Sequence, residues 1–261
     1  MNENSQNLKV TVLQTDIAWC NPDANRERIR QLLDEAPVSD VYLLPEMFAT
    51  GFCMEPAREG VAEATPGLSD WMRQWAEAHD CALAGSLPVA EGGRYYNRFH
   101  FVTPAAAVTY DKRHLFGYGG EDKVYAPGRE RVVAEFRGVR FLLQVCYDLR
   151  FPVFARNRGD YDAILYVANW PTSRIEAWDA LLRARAIENQ CYVLAANRVG
   201  ADPVTTYTGH SQVIDAFGRV VARCEDGCEG FVTAELDCAR LASFRRKFPV
   251  LSDGDTFHSD W

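Results

Sequence analysis

The chain has 261 residues, 48% of them hydrophobic and 25% charged, with a formal net charge of -8. That length allows one large domain or two small ones with a sizeable core, and the acidic balance excludes a general binder of nucleic acid or of an anionic membrane, both of which need a basic surface. No stretch approaches the ~20 apolar residues that span a bilayer, and the polar start, Met1 to Gln6, lacks the basic and apolar regions of a signal peptide, so a cytoplasmic protein acting on a small molecule is expected.

Leu8 to Gln14 alternates like a strand, and Asn21-Pro22-Asp23 caps a helix whose Ile29, Leu32 and Leu33 form an apolar stripe. Val41 to Leu44 is a short apolar strand that ends at Pro45-Glu46, which places a carboxylate just beyond a strand end, where open α/β sheets carry their sites. Ser69 is the expected cap of a helix carrying Trp71, Met72, Trp75 and Ala76, and Cys81 to Leu87 is another apolar strand. Tyr95 to Val102 and Ala107 to Tyr110 read as adjacent strands around Thr103-Pro104, the second ending at Asp111-Lys112. The Gly-rich segment from Phe116 to Gly128 is too irregular for an element and too long for a turn; loops of that length in a compact domain are usually functional.

Val132 to Phe136 is read as a strand, and Val139 to Val145 is a near-continuous apolar run, the signature of a strand buried on both faces. It delivers Cys146 to a polar edge, Tyr147-Asp148-Leu149-Arg150. Pro152 is expected to open a helix, so Cys146 would sit in a strand-to-helix turn where free N–H groups and the helix dipole favour a thiolate. The ordinary alternative is a buried structural cysteine. Asp162 to Ala168 is a strand ending at Asn169-Trp170-Pro171. After it, Thr172 or Ser173 should cap a helix with Ile175, Trp178, Leu181 and Leu182 inward and Glu176, Asp179, Arg183 and Arg185 outward. Cys191–Ala196, Ser211–Asp215, Arg219–Cys224 and Gly230–Leu236 are further strands, and the tail from Ala239 is helical as far as Phe248. The eight cysteines are scattered without a Cys-x-x-Cys pair, and no His stands near Cys224 and Cys228 to complete a metal set, so no metal is expected. With no repeat or linker, residues 1–261 read as a single domain, with a core over about 8–236 and a C-terminal tail over 237–261. Mixed βαβ units and hairpins in one chain suggest two sheets with helices outside them.

Glu46, Lys112 and Cys146 emerge at the ends of three such strands. Brought together, a carboxylate can take the thiol proton, an ammonium can hold an oxyanion and a thiolate can attack a carbonyl or nitrile carbon. Singly, Glu46 reads equally as a solvated loop residue and Lys112 as one more surface charge.

Leu-Leu-Pro-Glu46-Met-Phe, Tyr-Asp-Lys112-Arg-His-Leu-Phe and Val-Cys146-Tyr-Asp-Leu-Arg-Phe-Pro, in that order, resemble the Glu-Lys-Cys motifs of the nitrilase superfamily of carbon-nitrogen hydrolases. The likeness runs from about Leu8 to Leu236. It implies an αββα sandwich of two stacked sheets, protomers that pair as a homodimer, and no cofactor. It also implies Glu46 as general base, Cys146 as nucleophile, and Lys112 with the Tyr147 N–H as oxyanion donors. A second glutamate often stands near the base in this family, and Glu121 is the candidate. Pro-Glu-Met-Phe-x-Thr-Gly-Phe and Asn-Trp-Pro-x-x-Arg are similar to the omega-amidase branch, which hydrolyses the terminal amide of 2-oxo acids. Such an anion calls for a cation, and Arg174, after Asn169-Trp170-Pro171, supplies a planar fork. Phe52, Phe116 and Trp170 are the expected apolar walls. Within the superfamily, another amidase, a carbamoyl-amine hydrolase or a nitrilase stays open as an alternative, as does a catalytically silent binding protein.

Overall fold

Side chains alternate across a strand, so a strand that is apolar at every position must be covered on both faces. The computed structural model, which describes residues 7–255, shows how: the buried apolar residues divide into three clusters stacked between layers. The first sheet has the order β14-β1-β2-β3-β4-β5, from Gly230–Leu236, Leu8–Gln14, Val41–Leu43, Ala82–Glu91, Arg94–Val102 and Ala107–Asp111. The second has the order β13-β12-β9-β8-β7-β6, from Val220–Arg223, Gln212–Ile214, Tyr192–Asn197, Ala163–Ala168, Val139–Val145 and Val133–Phe136. Val10, Val12 and Phe101 of the first sheet meet Phe141, Leu143 and Leu165 of the second in the central cluster. The alternate residues face out. Leu83 packs with Leu32 of α1 (Pro22–Glu35) and Met72 of α2 (Thr65–His79), while Ile164 packs with Trp178 and Leu182 of α4 (Ile175–Glu188). This is a four-layer αββα sandwich of two mixed sheets.

Several expected boundaries move, each for a local reason. α2 starts at Thr65 rather than at Ser69, because Pro66 fits a first turn that needs no N–H donor. No side chain caps α4; Thr172–Arg174 form a 3-10 turn ahead of it, and the Thr172 hydroxyl donates to Thr206 O at 3.0 Å instead. Arg185, expected outward, is buried, and its guanidinium donates to Leu149 O at 2.6 Å. The helix opened by Pro152, α3, is a single turn, Pro152–Ala155. A hairpin the sequence pattern did not announce, β10 (Val199–Ala201) with β11 (Thr206–Thr208), forms a separate two-stranded ribbon. The tail helix α5 (Cys238–Lys247) sends Leu241 into the central cluster. Met1 to Gln6 lie outside the described residues, and among those described no helix is long and apolar enough to cross a membrane.

His100, in β4, bears on acid stability. Its Nε2 is buried without a partner, and burial, aided by the Arg98 charge, pushes its pKa from 6.5 down to about 4. The fold therefore favours the neutral ring, and the stability this contributes above pH 6.5 is lost as pH falls toward 4, a swing of roughly 3 kcal/mol. His100→Gln is expected to flatten the decline of Tm across that interval. An unchanged Tm-versus-pH slope would remove His100 from the account.

Candidate active site

Strands β1, β2 and β3 run parallel, as do β7, β8 and β9. The residues that follow β2, β7 and β8 therefore leave the sheets on one edge, where a crevice forms. Glu46 follows β2, Lys112 follows β5, Cys146 follows β7 and Asn169 follows β8.

The Glu46, Lys112 and Glu121 side chains are wholly buried, and Lys112 contacts both carboxylates. The Lys112 ammonium donates to Glu46 Oε1 at 2.9 Å and to Glu121 Oε2 at 2.8 Å. Asn97, in the middle of β4, donates from Nδ2 to Glu46 at 2.8 Å and to Glu121 at 3.0 Å, so one amide spans both carboxylates. The second Glu46 oxygen accepts the Asn169 backbone N–H at 2.8 Å, and Asn169 Nδ2 donates to Glu46 O at 2.7 Å. Phe116 N–H donates to Glu121 at 2.7 Å, which pins the Gly-rich loop to the same cluster. Gly128 closes that loop, its N–H donating to Lys112 O at 2.9 Å; a Cβ there would lie 2.1 Å from Asp111 O.

The charges follow from this packing. Burial opposes the Lys112 ammonium, but the Glu121 and Glu46 carboxylates outweigh it and hold the group well above its ordinary value. Burial, with the Glu46 charge, pushes the Glu121 carboxyl up while Lys112 pulls it down. The Cys146 thiol is pushed well up, chiefly by burial and then by the Glu46 charge, against the pull of Lys112. The expected dipole-stabilised thiolate is thus corrected. Beyond Cys146 lies a 3-10 turn, Cys146–Arg150, with α3 only four residues long after it, and desolvation governs the sulfur.

Cys146 itself has φ of +47°, a left-handed conformation costly for a residue with a Cβ. Asp148 holds the turn in place. Its buried carboxylate accepts from Val145 N–H at 2.9 Å, Tyr110 hydroxyl at 2.8 Å and His114 N–H at 3.0 Å, and pairs with His114 Nδ1 at 2.7 Å. Arg185, through Leu149 O, braces the turn from α4.

A cavity of about 430 Å³ opens over Cys146. Phe52, Phe116, Tyr147, Asn169, Trp170 and Arg174 line it together with Cys146 and Glu46, while Lys112 and Glu121 lie behind its wall. The Arg174 guanidinium stands 5.3 Å from the centroid of the Phe116 ring, and Trp170 Nε1 donates to Arg174 O at 2.8 Å. Sequence reasoning missed a second arginine: Arg150 lines the cavity over the Trp170 ring, 4.9 Å from its centroid. Among the described residues neither guanidinium pairs with a carboxylate. Also missed were Asn97, whose signal was an amide inside an aromatic-rich strand, and the wall from Asp202 to Thr205 in the β10–β11 hairpin.

Comparison with known proteins agrees with this architecture. The carbon-nitrogen hydrolase family matches residues 9–246. The chain is 45% identical to omega-amidase YafV of Yersinia enterocolitica over 96% of its length and 98% of that protein. It is 35% identical to the 2-oxoglutaramate amidase of Bacillus subtilis, over 94% of this chain and 96% of that one. Among solved structures it superposes with a TM-score of 0.92 and 42% identity on a CN-hydrolase superfamily protein of Xanthomonas campestris with an arsenic adduct in its active site, covering 97% and 99% of the two chains. Nit3 of Saccharomyces cerevisiae, of the nitrilase superfamily, gives 0.82 at 26% identity, over 94% and 95%. The chain belongs to the carbon-nitrogen hydrolase family, within the nitrilase superfamily.

Proposed function

We propose that this protein is a thiol amidohydrolase of the omega-amidase type, releasing ammonia from the terminal amide of a small 2-oxo acid such as 2-oxoglutaramate. The observation that carries this reading is one cavity holding the Cys146 thiol and two guanidinium groups, Arg150 and Arg174, that have no carboxylate partner among the described residues. An apolar-walled pocket with unpaired cations suits a short acyl chain that ends in an anion. The relatives from Yersinia and Bacillus, an omega-amidase and a 2-oxoglutaramate amidase, point the same way.

In the proposed mechanism Glu46 takes the Cys146 proton as the sulfur attacks the amide carbonyl carbon. A thiol this strongly desolvated stays protonated at rest, so proton removal accompanies attack. Lys112 and the Tyr147 N–H receive the charge that develops on the carbonyl oxygen. The tetrahedral adduct collapses, Glu46 passes its proton to the leaving nitrogen, ammonia departs and a thioester remains. Glu46 then deprotonates a water that cleaves the thioester to the free acid and restores the thiol. Glu121 serves as a positioning residue: both its oxygens lie on the Lys112 ammonium, at 3.1 and 2.8 Å.

Arg174→Ala is the test of the substrate class. For 2-oxoglutaramate the variant should raise KM by about tenfold or more, as loss of a charge-assisted hydrogen bond to a carboxylate predicts. For a neutral amide of equal length KM should stay within about twofold. Equal changes for both substrates would defeat the anionic-substrate reading and favour another amidase of the superfamily.

A further inference from the structure

Two thiols that take no part in the proposed chemistry meet beside the cavity. Cys20, in the loop between β1 and α1, and Cys53, in the loop that follows β2, set their sulfurs 3.3 Å apart across 33 residues of sequence. Both are free. Cys53 is buried and lines the cavity next to Phe52 and Met54; Cys20 is half-buried behind Trp19, which lines it too. Each segment is held by the surrounding backbone. Cys20 N–H donates to Thr50 O at 3.0 Å, and the Tyr125 hydroxyl donates to Cys53 O at 2.8 Å. Cys20 adopts φ of +50°, a conformation its neighbours must enforce.

We propose that Cys20 and Cys53 form a reversible oxidation site, a disulfide that fastens together two loops of the cavity wall under peroxide. The sulfurs need to close from 3.3 Å to ~2.05 Å, a movement that side-chain rotation supplies. A peroxide oxidises one thiol to a sulfenic acid and leaves as water; the second thiol attacks that sulfur, the S–S bond forms and a second water departs. Two electrons and two protons pass from the thiols to one peroxide, and a dithiol reductant returns them. Burial and the neighbouring Cys53 push the Cys20 thiol up to about 12, so the bridge forms slowly at neutral pH.

The bridge closes a long loop, which removes conformational freedom from the unfolded chain and raises thermal stability. The full-length protein is incubated with hydrogen peroxide, its remaining thiols are alkylated under denaturing conditions, and the digest is mapped by mass spectrometry. The expected product is a peptide carrying Cys20 linked to one carrying Cys53, abolished by dithiothreitol, with a Tm several degrees above that of the reduced protein. Cys20→Ser should give no such link and no peroxide-dependent gain in Tm, while its ammonia release before oxidation matches wild type. Absence of the Cys20–Cys53 peptide, Cys53 driven to sulfinic acid instead, or a bridge from Cys53 to Cys146 would each overturn the proposal. The readouts are peptide mass and Tm, so failure here leaves the amidase reading standing, and failure of that reading leaves this one standing.

Discussion

Cys146→Ala is expected to lower ammonia release from 2-oxoglutaramate by ~10⁴-fold or more, because removing a nucleophile eliminates the covalent route and leaves only binding and charge stabilisation. Folding should survive. The alanine inherits φ of +47° and loses only a sulfur at the cavity floor, so a Tm shift of a few degrees at most is expected. Cys146→Gly is the informative companion: equally inactive, it relaxes the left-handed turn and should not melt below Cys146→Ala. Wild-type protein mixed with substrate and quenched should carry an acyl mass on the peptide containing Cys146. Substantial turnover by Cys146→Ala, or an acyl mass on another residue, would overturn the proposed mechanism.

Lys112→Met should be damaging in a different way. Its ammonium lies between two carboxylates that are, like it, completely enclosed, and removing one partner of a buried ionic group leaves uncompensated charge. A loss of about 3–5 kcal/mol is expected, which for a protein of this size lowers Tm by roughly 6–20 degrees, together with loss of turnover through the missing proposed oxyanion donor. The double variant Lys112→Met, Glu121→Gln separates the two effects. Neutralising Glu121 reduces the stranded charge and should restore part of the Tm while leaving turnover absent, a non-additivity that a double-mutant cycle measures. Recovery of turnover in the double variant would show that Lys112 serves the cluster's electrostatics and has no role in the chemistry.

Much of the architecture was legible because the strands that carry the site announce themselves. Ala163–Ala168 is buried throughout and Val139–Val145 at every position but Arg140, as apolar runs of strand length read, so the residues after them were expected at a sheet edge. What stayed hidden depends on partners distant in the chain. Arg185 falls on the polar stripe of α4 by helical periodicity, yet it is buried because Leu149 O offers an acceptor and Glu188 an ion pair at 2.9 Å. Asn97 gains its meaning from pairing: its place in β4 faces Pro88 of β3, and its backbone oxygen accepts Lys112 N–H at 3.0 Å. The hairpin of β10 and β11 escaped because its short strands bury only Val199 and Tyr207 and offer no apolar run to detect. The supposed helix dipole at Cys146 failed because a proline can begin a helix without making it long.

The proposed catalytic cluster is divided between the two halves of the sandwich. Glu46, Asn97 and Lys112 ride on one sheet, Cys146 and Asn169 on the other, and the hydrogen bonds from Asn169 to Glu46 stitch across the gap. Chemical competence is therefore a gauge of how the two layers are aligned. A slip of one against the other would leave every strand intact and still break the Asn169–Glu46 bonds that join the proposed base to the layer carrying the sulfur.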